Sequence, residues 1–425
     1  MITLVWKDGV IMKDNKSKAM LLIFLGWLVY SVSYFGKVNY SANITQIIDY
    51  YGITRAQAGT APTFFFFAYG IGQVFNGIFC KKYNIKWMIF FSLVMSATIN
   101  LIVAVSKDFA IIKWLWLLNG IVLSILWPTL IRMISESIPQ KVLGTSSIIM
   151  GTTVGAGTLV IYGLSSIFAA FDKFKLSFYT ASFSVFIVAF LWLLIYNKAV
   201  SSSQSEKELE EPINKETWNV SKKGMENKNE KKLFYISVGV LCFGAIGANL
   251  IKDGLTTWVP SILKEEFSMS DSISILLTLF LPILAMCGNA FALSLHKKIP
   301  DYVNHLTAVF AAMAVLVGMI IGSIALELVV VMLFGLIAVN FLASSLNSLI
   351  TSIYPLFMRE KVNSGSFAGI LNGFCCLGST ISSYGLGVIA DNFGWTAVFW
   401  TLIGFSVAVC ITWCGYKFAK YIFEK

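Results

Sequence analysis

Two lysines stand inside long apolar stretches of the sequence, where ionisable residues are rare. Lys37 lies within the run 19–45, and Lys252 lies within the run 234–263. A charged side chain at bilayer depth costs roughly 2.5–3.5 kcal/mol, so such residues seldom face lipid and usually belong to a functional site. Because both side chains are cations, the chemistry that they indicate is the binding of a negatively charged ligand.

The alternative is that each lysine is paired with an acid of the protein or extends toward the membrane surface. Asp253 is the one acid deep in an apolar run, since Glu327 and Asp391 stand at the ends of theirs. As the sequence neighbour of Lys252, Asp253 projects about 100° away around a helix, and we expect that it cannot face Lys252 directly. Two buried cations with at most one buried anion favour an external anion, while structural pairing stays open.

Polar side chains elsewhere in the apolar runs indicate a water-filled cavity. Tyr34 lies about one helical turn before Lys37 and shares its face. The other polar or aromatic residues that share helix faces within these runs are Tyr30, Ser33, Tyr69, Gln73, Asn76, Asn119, Trp127, Asn249, Asn340, Ser344, Asn347, Thr351, Asn372 and Ser379. The Ser and Asn residues could instead form hydrogen bonds between helices, and that alternative stays open.

The composition excludes an ordinary soluble protein. Of 425 residues, 57% are hydrophobic and 13% are charged, and the mean hydropathy is +0.76. The net charge of +10 is typical of basic cytoplasmic loops and does not predict a nucleic-acid partner. The sequence has no glycine-rich phosphate loop, paired carboxylates or metal-binding spacing, and it has two histidines. We therefore predict no enzymatic activity, no cofactor and no metal.

The order of apolar runs predicts the architecture. Six apolar runs, a polar segment and six further runs predict an all-α membrane protein with twelve transmembrane helices. We predict a six-helix bundle over 1–197, a flexible cytoplasmic linker over 198–232 and a second six-helix bundle over 233–425. Lys37 and Lys252 occupy the same depth of the first helix in each half, so the halves look like repeats. Parallel six-helix repeats place a binding site near the midplane between them.

The distribution of basic residues predicts the orientation. With a cytoplasmic N-terminus, the cytoplasmic segments hold 24 Lys and Arg residues, and the external loops hold six. Cytoplasmic loops of membrane proteins carry the excess of basic residues. We therefore expect both termini and the linker in the cytoplasm, and we expect the first apolar run to be retained as a membrane helix.

Short motifs along most of the chain carry a family resemblance. They are YFGKVNY at 34–40, AYG at 68–70, WP at 127–128, VGAG at 154–157, KDG at 252–254, WVP at 258–260 and DNFGW at 391–395. Together with the six-plus-six layout, they resemble the organophosphate:phosphate antiporters of the major facilitator superfamily, which include bacterial glycerol-3-phosphate and hexose-phosphate transporters. The superfamily signature after the second helix is degenerate, because Lys81 and Lys82 stand where Asp-Arg is usual.

The resemblance implies roles for individual residues. In that family two arginines clasp the phosphate, and their positions fall on Lys37 and Lys252, so the charge is kept without the bidentate guanidinium. A family lysine falls on Gln73, and a family histidine falls on Thr152. The other positions that match the family's cavity are Tyr34, Tyr69, Trp127 and Asn249.

The sequence therefore predicts a secondary active transporter of a small organic anion in the cell (inner) membrane. The first expectation is a phosphorylated sugar or polyol that is exchanged for inorganic phosphate. A carboxylate (sugar-acid) symporter and a non-transporting sugar-phosphate sensor stay open as alternatives. Inorganic phosphate or a proton is the expected coupling species, and we expect a monomer whose partners are this substrate and the lipid bilayer.

Overall fold

The computed structural model describes residues 19–79, 83–138, 140–207, 228–358 and 364–424. Within these ranges all regular secondary structure is helical. In the same ranges, nine helices are long and apolar enough to cross a membrane, or ten when one bent pair is taken as a single span. The predicted all-α membrane fold is confirmed, whereas the orientation of the termini stays a prediction.

The helices follow the predicted order. The first half contains α1 (Ala19–Ala42), α2 (Arg55–Phe79), α3 (Ile85–Val105), α4 (Phe109–Ile134), α5 (Ile148–Ala169) and α6 (Lys175–Lys207). The second half contains α7 (Lys228–Glu266), α8 (Asp271–Ala285 and Ala290–Lys298, bent by 48°), α9 (Tyr302–Ala325), α10 (Val329–Ile353), α11 (364–393) and α12 (395–424).

Two features account for the helices that are missing from the count of strongly apolar spans. The 25 residues of α2 suffice to cross a bilayer, although this helix carries polar side chains such as Gln73. The last two helices meet at Gly394, whose φ of 77° lies in the left-handed region that glycine adopts without a steric penalty. A helix cannot continue through that conformation, and α12 therefore starts as a separate element.

The segment predicted as a linker is helical at both ends. Helix α6 continues to Lys207, and α7 begins at Lys228, so the helices enter the polar segment 198–232 from either side. Glutamate, lysine and glutamine have favourable helix propensities, which lets an existing helix extend beyond the apolar region. The remainder of the predicted linker, 208–227, lies outside the described residues.

A buried amide network ties α1 to α3 and α4 next to Lys37. Asn119 Nδ2 donates to the carbonyl of Gly36 over 2.7 Å, and Asn100 Nδ2 donates to the same carbonyl over 3.3 Å. Asn39 Nδ2 donates to Asn100 Oδ1 over 2.9 Å, and Ser96 Oγ donates to Asn119 Oδ1 over 2.7 Å. The network holds the middle of α1 and thereby fixes the backbone that carries Lys37.

We predict that Asn119→Ala destabilises the protein by about 1–2 kcal/mol, because side-chain hydrogen bonds in membrane proteins average about 0.6 kcal/mol and two are lost here. The measurement is the apparent melting temperature of the purified chain in detergent. Thr98→Ala is the control, since Thr98 is exposed on α3 and bonds its own helix at Val94. Equal melting temperatures for Asn119→Ala and the parent chain would contradict a structural role for the network.

Candidate functional site

Lys37 and Lys252 line the same cavity, which has a volume of about 500 Å³. The walls come from α1, α2 and α4 of the first half and from α7, α10 and α11 of the second. Its polar and aromatic lining residues are Tyr30, Tyr34, Lys37, Phe66, Tyr69, Gln73, Trp127, Asn249, Lys252, Asp253, Asn347, Thr351, Ser352, Asn372, Cys375, Cys376 and Ser379. A volume of this size suits a small organic ligand.

The cavity extends from mid-depth toward the membrane side on which α1 begins. It is lined by residues at 347–352 on α10 and at 368–379 on α11. Helix α10 ends and α11 begins on that same side, so these residues lie in the nearer half of the bundle. With the predicted cytoplasmic N-terminus, this conformation is inward-facing.

Lys37 is held by aromatic rings. Its Nζ lies 4.4 Å from the ring centroid of Tyr69 and 4.8 Å from that of Tyr34. The rings of Phe65 and Phe66 lie at 5.6 Å and 5.9 Å. A ring face attracts a cation but carries no net charge. In the part of the chain that the structure describes, Lys37 forms no ion pair, so its charge is available to a ligand.

Lys252 has protein partners, and one of them corrects the sequence prediction. Its Nζ donates to Asn249 Oδ1 over 2.9 Å and lies 3.3 Å from Asp253 Oδ1. The expectation that Asp253 cannot face Lys252 is wrong. The four-carbon lysine stem is flexible enough to bring its ammonium around the helix, although the two Cβ atoms point in different directions. The structural-pairing alternative therefore applies to Lys252 but not to Lys37.

Amide side chains connect the cavity walls. Asn249 Nδ2 donates to Asn347 Oδ1 over 3.1 Å, which joins α7 to α10. Gln73 Nε2 donates to the Tyr69 hydroxyl over 2.7 Å, and Gln73 Oε1 accepts from Asn372 of α11. The Gln73–Asn372 contact crosses from the first half to the second inside the cavity. These amides supply neutral donors and acceptors beside the charged groups.

Seven of the eight predicted site residues line the cavity, and Thr152 does not. The Thr152 hydroxyl accepts from Trp27 Nε1 over 3.0 Å and donates to the carbonyl of Ile149 over 2.8 Å. Its hydrogen-bonding capacity is thus engaged within the first half. In this conformation Thr152 is not among the residues that line the cavity, and its role in substrate binding stays a prediction. That the other seven residues bind substrate stays a prediction.

Several other polar residues form hydrogen bonds between helices and do not line the cavity. Asn76 donates to Ser124 of α4 over 2.9 Å, and Asn340 donates to the carbonyl of Lys252 over 3.2 Å. Asn119 belongs to the network around Gly36 instead of the cavity. These three residues therefore fasten helices together.

Sequence reasoning missed part of the α11 wall. Cys375 and Cys376 line the cavity, although their apolar context suggests small core residues. The missed signal is their spacing, because Asn372, Cys375, Cys376 and Ser379 follow the three- and four-residue steps of one helix face. Asn372 and Ser379 were recognised as polar face residues but not as members of the predicted site.

Ion pairs close the end of the bundle opposite the cavity mouth. Arg55 at the start of α2 contacts Glu265 of α7, and its Nη1 lies 3.1 Å from Asp391 Oδ1 of α11. Trp395 Nε1 donates to Glu265 over 2.8 Å. Lys264 of α7 lies 2.6 Å from Asp49, which belongs to the short helix Ile44–Tyr51 after α1. With the predicted cytoplasmic N-terminus, these contacts join the two halves on the external side.

The fold and a cavity between two six-helix halves are typical of a transporter, and a family comparison decides the class. The model of the Major Facilitator Superfamily matches residues 26–383. The chain belongs to the major facilitator superfamily. This membership confirms the predicted family and places the chain among membrane transporters instead of enzymes.

Individual relatives of this superfamily member are distant in sequence. Human "Sugar phosphate exchanger 3" is 23% identical over 386 residues, which cover 81% of this chain and 76% of the relative. The "Membrane sensor protein UhpC" of Escherichia coli K12 is 26% identical over 94 residues, which cover 22% and 21% of the two chains. The name of the human relative agrees with the predicted resemblance to organophosphate transporters.

Solved structures of superfamily members share the fold. A bacterial homolog of the human lysosomal transporter Spinster, in an inward-facing and occupied conformation, superimposes with a TM-score of 0.70 at 12% identity. The match covers 95% of this chain and 97% of the homolog. At this identity the similarity shows the architecture alone.

Proposed function

We propose that this protein is a secondary active transporter that exchanges a phosphorylated sugar or polyol for inorganic phosphate by alternating access. The observation that carries the proposal is the position of Lys37 and Lys252, which come from the two halves and line one cavity. An anion between them attracts both halves, and rocking of the halves then exposes the site to the other side. The similarity to a human sugar phosphate exchanger supports a sugar phosphate as the substrate.

The neutral groups of the cavity suit the hydroxyls of a sugar or polyol. Gln73 and Asn372 stand on one pair of walls, and Asn249 and Asn347 stand on another. An amide offers both a donor and an acceptor, so it can bind a hydroxyl in either direction. The ring of Trp127 lies 4.8 Å from that of Tyr30 and adds an aromatic surface to the cavity.

The same proposal includes the membrane, the oligomeric state and the orientation of the transporter. We place it in the cell inner membrane as a monomer, with both termini and the linker 198–232 in the cytoplasm. The segments 1–197 and 233–425 act as the two moving bundles. The basic bias of the loops supports this orientation.

A carboxylate symporter is the second candidate, and two observations favour it. Lys37 and Lys252 lack the planar fork that makes arginine suited to phosphate. Asp253 adds a carboxyl group to the cavity that a transported proton could occupy. A non-transporting sensor is a third candidate, which the partial similarity to a membrane sensor protein supports.

Exchange in proteoliposomes distinguishes the three candidates. Vesicles that contain the full-length protein are loaded with inorganic phosphate and supplied with labelled hexose 6-phosphate or glycerol-3-phosphate. We expect uptake that requires internal phosphate and does not require a proton gradient. Uptake of sugar acids that depends on a proton gradient would favour the symporter instead. Ligand binding without uptake, detected as a raised melting temperature, would favour the sensor.

A further inference from the structure

The two lysines of the cavity are electrostatically unequal, and Asp253 is the cause. We propose that the cavity selects anions with a single negative charge and that Asp253 sets this limit. The inference rests on the proposed function, because it specifies the charge of the anion that the same site binds. In this proposal Asp253 determines the charge of the anion that binds, which the two lysines alone do not determine.

Asp253 acts as a built-in anion beside Lys252. Its Oδ1 lies 3.3 Å from Lys252 Nζ, and its Oδ2 accepts a hydrogen bond from the Ser379 hydroxyl of α11. The side chains of Lys252 and Asp253 are 23% and 20% exposed, so the protein encloses most of this pair. Both carboxyl oxygens therefore have fixed partners, and the charge of Lys252 is neutralised before any ligand arrives.

Lys37 stands apart from the ion pair of Lys252 and Asp253. It contacts four aromatic rings, and it has no carboxylate partner among the described residues. The ring faces attract the ammonium group but carry no net charge that could neutralise it. Lys37 is therefore the position at which an entering anion gains the most.

Among the described residues, the charged groups that line the cavity sum to one positive charge. Lys37, Lys252 and Asp253 are the formally charged residues among those that line it. The other ionisable lining groups are uncharged at neutral pH. They are Tyr30 and Tyr34 on α1, Tyr69 on α2, and Cys375 and Cys376 on α11. A monoanion makes the site neutral, whereas a dianion leaves an uncompensated negative charge in a region of low dielectric constant.

This balance has a consequence for phosphorylated substrates. A phosphate monoester has a second pKa of about 6, so it exists as a monoanion and a dianion on either side of that pH. The site binds the monoanion directly. A dianion from solution binds only after it takes up a proton and becomes the monoanion. A sulfate monoester has nearly the same shape but keeps one charge throughout this range.

The test compares hexose 6-phosphate with hexose 6-sulfate as probes of the purified full-length protein. We expect the affinity for the phosphate ester to fall by more than about 30-fold between roughly pH 5.5 and pH 8, in step with its monoanion fraction. The affinity for the sulfate ester should change less than about threefold, because its charge is constant. Equal affinity for the phosphate ester at both pH values would overturn the inference and leave the proposed function intact. Absence of binding of both esters, of glycerol-3-phosphate and of inorganic phosphate would overturn both.

Asp253→Asn tests the residue itself. Removal of the carboxylate raises the cavity charge to two, so this variant should bind the phosphate ester at the higher pH at least as tightly as at the lower pH. Asp253→Glu is the matched control, because it keeps a carboxylate on this position of α7, and it should keep the parent ratio of the two affinities. Loss of the pH dependence in Asp253→Glu would show that the carboxylate charge is not the cause and would overturn the assignment.

Discussion

Substitution of Lys37 by glutamine is expected to weaken anion binding by at least about 100-fold, which corresponds to about 2.7 kcal/mol. Lys37 is the cation of the cavity without an acidic partner among the described residues, and its charge has no substitute when it is removed. The remaining Lys252–Asp253 pair is neutral, so an anion would have to displace Asp253 to bind. Hydrogen bonds between charged groups are worth about 1.5–3 kcal/mol, which is consistent with a loss of this size. The measurement is the dissociation constant for the sulfate ester and the phosphate ester in detergent.

Lys113→Gln is the matched control for this substitution. Lys113 also lies over an aromatic ring, with its Nζ 5.9 Å from the centroid of Trp114, but it stands at the start of α4 outside the cavity. The variant loses the same charge and the same kind of ring contact, and we expect unchanged affinity. If Lys37→Gln and Lys113→Gln bind as tightly as the parent chain, Lys37 is not the anion-binding residue.

Substitution of Gly59 by alanine is expected to open the end of the bundle that is closed in this structure. A Cβ atom at Gly59 of α2 would lie 2.9 Å from the carbonyl carbon of Ser383 and 3.1 Å from Cα of Tyr384, both on α11. These are backbone atoms, so no side-chain rotation relieves the clash. Overpacking of this kind costs about 1–3 kcal/mol. The clash exists only while the two halves touch at this end. It therefore shifts the equilibrium between the conformation closed at this end and the conformation open at this end by about 5–150-fold toward the open one.

The shift is measured as a distance between spin labels at Thr54 and Phe393, which are exposed on opposite halves near this end. Gly59→Ala should add a longer distance population and slow exchange, while binding of substrate from the opened side persists. Gly373→Ala is the control, because it adds the same methyl group to α11 where the nearest atom, Val74 Cγ2, is 3.9 Å away. An unchanged distance distribution in Gly59→Ala would contradict the role of this contact in closure.

Much of the candidate site could be predicted because membrane burial makes charge conspicuous. Lys37 and Lys252 interrupt apolar runs, and a buried charge is costly enough that it marks a site on sequence evidence alone. Tyr34, Tyr69 and Trp127 followed from helix periodicity and family motifs, and all three line the cavity. The helix order followed from apolar runs because the bilayer fixes the length of a spanning helix.

The prediction of Asp253 was wrong because a position on a helical wheel describes Cβ directions and not the reach of long side chains. Thr152 was placed in the site by family position, but its partner Trp27 could not be inferred from a pattern. Asn119, Asn340 and Asn347 share a residue type and all three join helices, yet only Asn347 also lines the cavity. Interhelical contacts depend on rotations and crossings that periodicity does not encode.

The sequence by itself determined that this protein is a twelve-helix membrane protein with one lysine inside the first apolar run of each half. It could do so because hydrophobic length and isolated charge are local properties of the chain. Only the tertiary structure decided that Lys252 is neutralised by Asp253 and that Lys37 carries the unbalanced charge. It also decided which end of the bundle is closed, through Arg55, Glu265 and Asp391. These properties depend on distances between residues that are far apart in the chain or on the conformation of a flexible side chain, and packing alone fixes such distances.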